Sequence, residues 1–254
     1  MDLGLKGRTA LITGGSKGIG RACAQVLAAE GCNLHLAARG EAELHQTREA
    51  IAARFGVSVS VHPMDLSRVE NARVLAEACA EIDILVNNAG AIPRGDLAAI
   101  DEPQWREAWD LKVFGYINLC RAIYAHMRTR HKGVIVNVIG AAGARPQADY
   151  IAGGAGNAAL MAFTKALGGR SLRDGIRVVA VNPGLIKTER LEKLLRSIAR
   201  KKFNDADRWM EFVPKDPPPG DPEDIAHFVA FLASERARFA TGAVFNVDGG
   251  YTAT

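Results

Sequence analysis

Seven short runs of β-branched and apolar residues, each followed by a longer amphipathic stretch, constrain this chain more than any other feature. The runs are "TALIT" 9–13, "NLHLAA" 33–38, "VSVSV" 57–61, "DILVN" 83–87, "GVIVNVI" 133–139, "IRVVAVN" 176–182 and "AVFNV" 243–247. Strands alternating with helices imply a parallel sheet with helices on both faces, an α/β doubly wound architecture. The near-continuous apolarity of the runs agrees, because such strands are covered on both sides. Apolar positions recur every three or four residues over 18–30, 67–80, 103–130, 157–171 and 222–233, which are read as helices. With 254 residues, 48% of them hydrophobic, the chain has the size of one large domain spanning 1–254.

One segment breaks the pattern. Residues 189–220 begin as a charged helical stretch, "ERLEKLLRSIARKKF", and end in "VPKDPPPGDP", where three prolines stop any helix. The segment follows the sixth strand, at the carboxyl edge where folds of this class bind ligands. It is read as a helical insertion covering a substrate, with a solvated helix and linker as the plainer alternative.

The remaining bulk properties exclude several classes. The net charge of +4 is spread without a long basic run, which favours anionic small molecules over nucleic acid. Cys23, Cys32, Cys79 and Cys120 form no CxxC pair and fall within expected strands and helices, so they are read as reduced core residues, and no metal site is expected. "MDLGLKG" is not a signal segment and no apolar run approaches the length of a membrane span. A cytoplasmic protein without membrane contact is expected.

The first strand runs into "TGGSKGIG", residues 13–20, and then into a helix. Gly14, Gly18 and Gly20 allow a tight turn that brings the helix N-terminus and its free N–H groups up to a pyrophosphate. In a strand–turn–helix context this is a dinucleotide-binding signal. Together with Asp65 in "MDLS", "NNAG" at 87–90, "VNPGLIKT" at 181–188 and "NVDGG" at 246–250, it makes the chain resemble the short-chain dehydrogenase/reductase family over essentially its whole length. The resemblance implies one Rossmann-type domain with a seven-stranded parallel sheet. It also implies assembly as a homodimer or homotetramer, and hydride transfer between NAD(P) and a small-molecule alcohol or carbonyl compound.

The resemblance assigns cofactor contacts to Gly14, Ser16, Lys17, Gly18, Ile19 and Gly20 in the glycine loop, and to Asp65 and Leu66 after the third strand. Asn88, Ala89 and Gly90 follow the fourth strand, and Pro183, Gly184, Ile186 and Thr188 the sixth. Asp65 can accept from an adenine amine or cap the next helix. Strand two ends in "HLAAR", with Ala38 where a carboxylate would select NAD, and with Arg39 next. Arg39 and Lys17 therefore favour NADP(H) over NAD(H).

The catalytic set departs from the family. Members carry a tyrosine proton donor, a lysine four residues later, a serine thirteen before the tyrosine and an asparagine in the preceding helix. Aligned by neighbouring motifs, this chain has Gly153, Asn157, Gly140 and Lys112 at those positions. An alignment slip is not the cause. Tyr116, Tyr124, Tyr150 and Tyr251 all lack a lysine four residues later, and no serine lies between Ser67 and Ser171.

Three readings remain open at this stage. Other residues have taken over: Tyr150, three residues before Gly153, as donor, Lys112 as its electrostatic activator, and Asn157 on a ribose hydroxyl. Alternatively, the substrate is an iminium, quinone or activated enone that needs no strong donor. The third reading is a cofactor-binding sensor or partner subunit without turnover, its glycines serving close helix packing.

Overall fold

The computed structural model describes residues 1–253. Its strands are β1 (Thr9–Thr13), β2 (Asn33–Ala38), β3 (Val59–Pro63), β4 (Ile84–Asn87), β5 (Gly133–Val138), β6 (Ile176–Pro183) and β7 (Val244–Val247). All pair in parallel, in the order β3-β2-β1-β4-β5-β6-β7. The order reverses between β1 and β4, which opens a crevice at the strands' carboxyl ends where ligands bind in such sheets. β5 and β6 are buried at every residue, as strands covered on both faces require.

The helices are α1 (Gly18–Ala29), α2 (Glu41–Phe55), α3 (Val69–Ala78), α4 (Glu102–Trp109), α5 (Gly115–Thr129), α6 (Ile151–Ser171), α7 (Glu189–Phe203) and α8 (Pro222–Ala233). On one face α1, α2 and α8 bury Leu27, Leu44 and Val229 with Ile12 and Val136; on the other, α3 and α5 bury Leu75 and Ile123 with Leu11 and Ile135. The four cysteines are buried free thiols.

Four elements differ from the sequence expectation, the first being α2, which lies outside the expected helices. The third strand is displaced by two residues, from 57–61 to Val59–Pro63. The expected helix over 103–130 is interrupted by a π-helical turn at Asp110–Phe114, which widens the backbone around Lys112. The helix expected from residue 157 begins at Ile151, so its first turns contain Gly153, Gly154 and Gly156. Helix propensity opposes those glycines by about 1 kcal/mol each. Close packing explains two of them: a Cβ at Gly156 would sit 3.1 Å from Val113 and 3.2 Å from Trp109 Nε1, and one at Gly154 would sit 3.3 Å from the Ala142 carbonyl. Trp109 Nε1 also donates to the Ala152 carbonyl at 3.0 Å, tying α4 to the start of α6.

Candidate active site

The glycine loop between β1 and α1 is held by its neighbours. Gly14 and Gly18 have φ of +67° and +51°, in the left-handed region that favours glycine. A Cβ at Gly20 would overlap the Gly14 carbonyl and lie 2.5 Å from Asn88 Nδ2. Asn88 Nδ2 donates to the Thr13 carbonyl at 3.1 Å, and Thr13 Oγ1 accepts from the amides of Asn88 and Ala89 at 2.9 and 3.0 Å. Thr13 thus couples the loop after β4 to the glycine loop, a role that sequence reasoning did not assign.

Beside this loop, the ends of β2 and β3 and the segment after β4 bound a cleft of about 270 Å³ lined by Arg39, Asp65, Ser67, Ala91, Pro93 and Leu111, among others. Burial pushes the Asp65 carboxyl up, but the Ser67 amide and hydroxyl, Arg39 and Arg68 outweigh it and hold the group below the usual carboxylate range. Asp65 Oδ1 accepts from the Ser67 amide at 3.0 Å, while the cap of α3 is Arg68, so the helix-cap alternative for Asp65 does not hold. Leu66 is buried behind it.

The two cations of the NADP argument differ in their surroundings. Lys17 Nζ lies 3.1 Å from Glu43 and 4.0 Å from Glu189. The side-chain bond to Glu43 and the charges of both carboxylates raise the Lys17 pKa. Arg39 is exposed at the cleft and makes no hydrogen bond or ion pair among the described residues.

Ser16 and Ile19 are half-buried in the glycine loop, and Gly90 follows Ala89 in the loop after β4. Pro183 ends β6, and Gly184 packs against the Asp248 backbone so closely that a Cβ would lie 2.8 Å from its Cα. Ile186 is buried. Thr188 caps α7, its Oγ1 accepting from the Leu191 amide at 3.4 Å, and its methyl would lie 3.2 Å from a Cβ at Gly18. The β6 edge and the glycine loop therefore meet.

Residues 185–220 form a closed excursion. Its base is shut by the Lys187 amide donating to the Gly220 carbonyl at 2.8 Å and the Gly220 amide to the Leu185 carbonyl at 3.0 Å. Arg190, at the start of α7, donates to the carbonyls of Gly90 and Ile92, both at 2.9 Å. This anchor was not anticipated, since one arginine in a charged helix carries no sequence signal.

Around the departed catalytic positions the structure is specific. Lys112 is only 8% exposed. Its Nζ donates to Tyr116 Oη at 3.0 Å and to the carbonyls of Val138 and Ile139 at 3.0 and 3.1 Å. Tyr116 Oη in turn donates to the Val138 carbonyl at 2.8 Å. Burial, with Arg190 adding a like charge, pushes the Lys112 pKa down to about 7. Among the described residues Lys112 makes no hydrogen bond to Tyr150; its partner is Tyr116, one helical turn on, a pairing the i, i+4 spacing contained. The lysine and tyrosine brace the carboxyl end of β5.

Tyr150 stands at the N-terminal cap of α6 and packs against the buried cluster of Ile92, Ala108 and Ala152, with Arg94 over its ring at 5.5 Å. Its ring fills the space in front of Gly153: a Cβ there would lie 2.5 Å from Cε2 and closer still to Cζ and Cε1. The phenol of residue 150 therefore stands where a side chain at 153 would start. Asn157 is 4% exposed, its Nδ2 2.9 Å from where a Cβ of Gly140 would be, and its carboxamide makes no hydrogen bond among the described residues. The carboxamide is not sealed off: its polar atoms keep access to solvent, so they are open to a group entering the cleft. Gly140 has φ of +143°, a conformation that a residue with a side chain rarely adopts.

A family model described as enoyl-(acyl carrier protein) reductase matches residues 14–252. The chain is 33% identical over 253 residues to galactitol 2-dehydrogenase (L-tagatose-forming) of Cereibacter sphaeroides, covering 98% of this chain and 96% of the relative. It is 34% identical over 253 residues to acetoacetyl-CoA reductase of Shinella zoogloeoides, covering 96% and 98%. The solved structure of L-sorbose reductase from Gluconobacter frateurii, complexed with NADPH and L-sorbose, superposes with a TM-score of 0.93 at 32% identity over the whole of both chains.

Proposed function

Because the chain belongs to the short-chain dehydrogenase/reductase family, we propose that it is an NADP(H)-dependent oxidoreductase in which Tyr150 replaces the family's tyrosine as proton donor. The observation that carries this reading is the Tyr150 ring filling the space in front of Gly153. The glycine at 153 is then a requirement of the relocated phenol rather than a loss.

The site fits the cofactor in two respects: the left-handed Gly14 and Gly18 and the close Gly14–Gly20 approach bring the loop backbone tightly up to the start of α1, and the carboxamide of Asn157 makes no hydrogen bond to the described residues. When bound, NADPH supplies the hydride. Gly14, Gly18 and Gly20 with the start of α1 would hold its pyrophosphate, Arg39 the 2′-phosphate, and Asn157 a hydroxyl of the nicotinamide ribose. Asp65 accepts from the adenine amine. Lys17, already paired with Glu43, contributes less to cofactor choice than Arg39.

Tyr150 donates its hydroxyl proton to the oxygen or nitrogen that becomes basic as hydride arrives. Lys112 does not touch that proton. It is a positioning residue whose Nζ fixes the Val138 and Ile139 carbonyls beneath the site. The lobe of 189–220, anchored through Arg190, covers the substrate and excludes water.

The function is tested by following NADPH oxidation over ketones, ketoses, quinones, imines and activated enones, with NADPH and NADH affinities measured in parallel. Turnover of one class with tighter NADPH binding is expected. Tight binding with no oxidation across the panel overturns the enzymatic reading in favour of a cofactor-binding protein.

A further inference from the structure

We propose that His35, His62 and Cys79 form a transition-metal site, with Zn(II) as its ion, that fastens the β3 edge of the sheet to α3. The three lie 27 and 17 residues apart, too far for any short metal-binding motif, and the fold brings them together.

β2 and β3 run in parallel with His35 opposite Ser60 and Ala37 opposite His62. Ala37 and Cys79 belong to the core between the sheet and α3, whereas Leu34 and Leu36, the β2 neighbours of His35, belong to the core on the other face. Alternation along the strand therefore turns both imidazoles toward α3, whose C-terminal cap is Cys79. The rings stack at 5.1 Å with their planes 23° apart.

Three donor atoms converge. His35 Nδ1 and His62 Nε2 are 2.9 Å apart, His62 Nε2 and Cys79 Sγ are 3.9 Å apart, and all three lie within 4.8 Å of one another. A tetrahedral Zn(II), bonded at about 2.0–2.1 Å to nitrogen and about 2.3 Å to sulfur, sets its ligands about 3.3–3.6 Å apart. To reach that geometry the nitrogen pair must open by about 0.4 Å and the nitrogen–sulfur pair close by about 0.3 Å. Two imidazoles and a thiolate suit a borderline-soft ion and not magnesium or calcium.

The surroundings agree. The histidines are half-buried, which leaves an entry path, while Cys79 is 2% exposed.

On binding, the proton held between His35 Nδ1 and His62 Nε2 moves to the other nitrogen of its ring, Sγ and the two freed ring nitrogens each donate an electron pair to the ion, a water takes the fourth position, and the thiol proton passes to solvent. No oxidant or reductant is needed. The site stands just before Arg39 at the end of β2 and Asp65 after β3, so metal occupancy stiffens the side of the cleft assigned to the adenosine phosphate.

The test uses the full chain, stripped with a chelator and titrated with Co(II) as a spectroscopic stand-in and then with Zn(II). One equivalent of Co(II) is expected to give a thiolate-to-cobalt charge-transfer band that Zn(II) abolishes, with one proton released and a higher thermal midpoint in Zn(II). Cys79→Ser loses the band, and His35→Gln and His62→Gln each weaken binding by more than about tenfold. NADPH titration of each variant shows that it is folded. Absence of the band in the parent, or its persistence in Cys79→Ser, overturns the proposal and leaves a hydrogen-bonded histidine pair.

Discussion

Adding one methyl group at Gly153 separates the proposed role of Tyr150 from ordinary packing. In Gly153→Ala the new Cβ lies 2.5 Å from Tyr150 Cε2 and nearer to Cζ and Cε1, whereas carbon atoms rest at about 3.5–4.0 Å. The ring must retreat by more than about 1 Å. Overpacking of this kind costs about 1–3 kcal/mol, and alanine returns about 1 kcal/mol over glycine in a helix, so the net loss is ~0–2 kcal/mol. In a Tyr150→Ala background the obstruction is gone, and the same substitution stabilises by ~1 kcal/mol. Urea unfolding of the four proteins measures both changes. A displaced donor also lowers kcat by about 10²–10⁴-fold, while NADPH affinity, which depends on the distant glycine loop, stays within a few-fold. Equal stability changes in both backgrounds, or parental kcat in Gly153→Ala, refute the reasoning.

Arg39→Ala is expected to weaken NADPH binding by about 10–100-fold with little change for NADH, and Lys17→Ala to matter far less because its ammonium already faces Glu43; fluorescence titration reads both. Arg190→Ala removes the donors to the Gly90 and Ile92 carbonyls, so limited proteolysis should nick 189–220 faster and KM should rise more than kcat falls. Lys112, with a pKa pushed down to about 7 from the ordinary 10.5, is protonated below pH 7 whether the chain is folded or not. Between the two values only the unfolded chain holds the proton, so its contribution to stability grows as pH rises, by up to about 1.4 kcal/mol per pH unit, and is lost as pH falls through 7. Lys112→Met should lack that rise when urea unfolding is compared over this range.

The central strands were legible because β4, β5 and β6 are near-continuous apolar runs, while the alternating β3 was displaced by two residues, and the position of the cofactor loop followed from Gly14, Gly18 and Gly20. α2 was not, since "EAELHQTREAIAARF" buries only Leu44, Thr47 and Ile51 and shows a weak stripe. The π turn was hidden for a different reason: the apolar spacing runs through 110–114 unbroken, so nothing in the periodicity marks the turn that holds the buried Lys112. Sequence spacing put Tyr150 near the vacant position and paired it with Lys112. The structure pairs Lys112 with Tyr116 and sets the Tyr150 ring against Gly153, relations between side chains that no periodicity records. The histidine–cysteine cluster is invisible for the same reason, being assembled from two neighbouring strands and a helix end.

The central claim, that the proton donor has moved from position 153 to the phenol of residue 150, is tested most directly by single-turnover reduction in Tyr150→Phe, using whichever compound the parent reduces. The account predicts a rate lower by about 10²–10⁴-fold with NADPH affinity unchanged. A parental rate in Tyr150→Phe contradicts it.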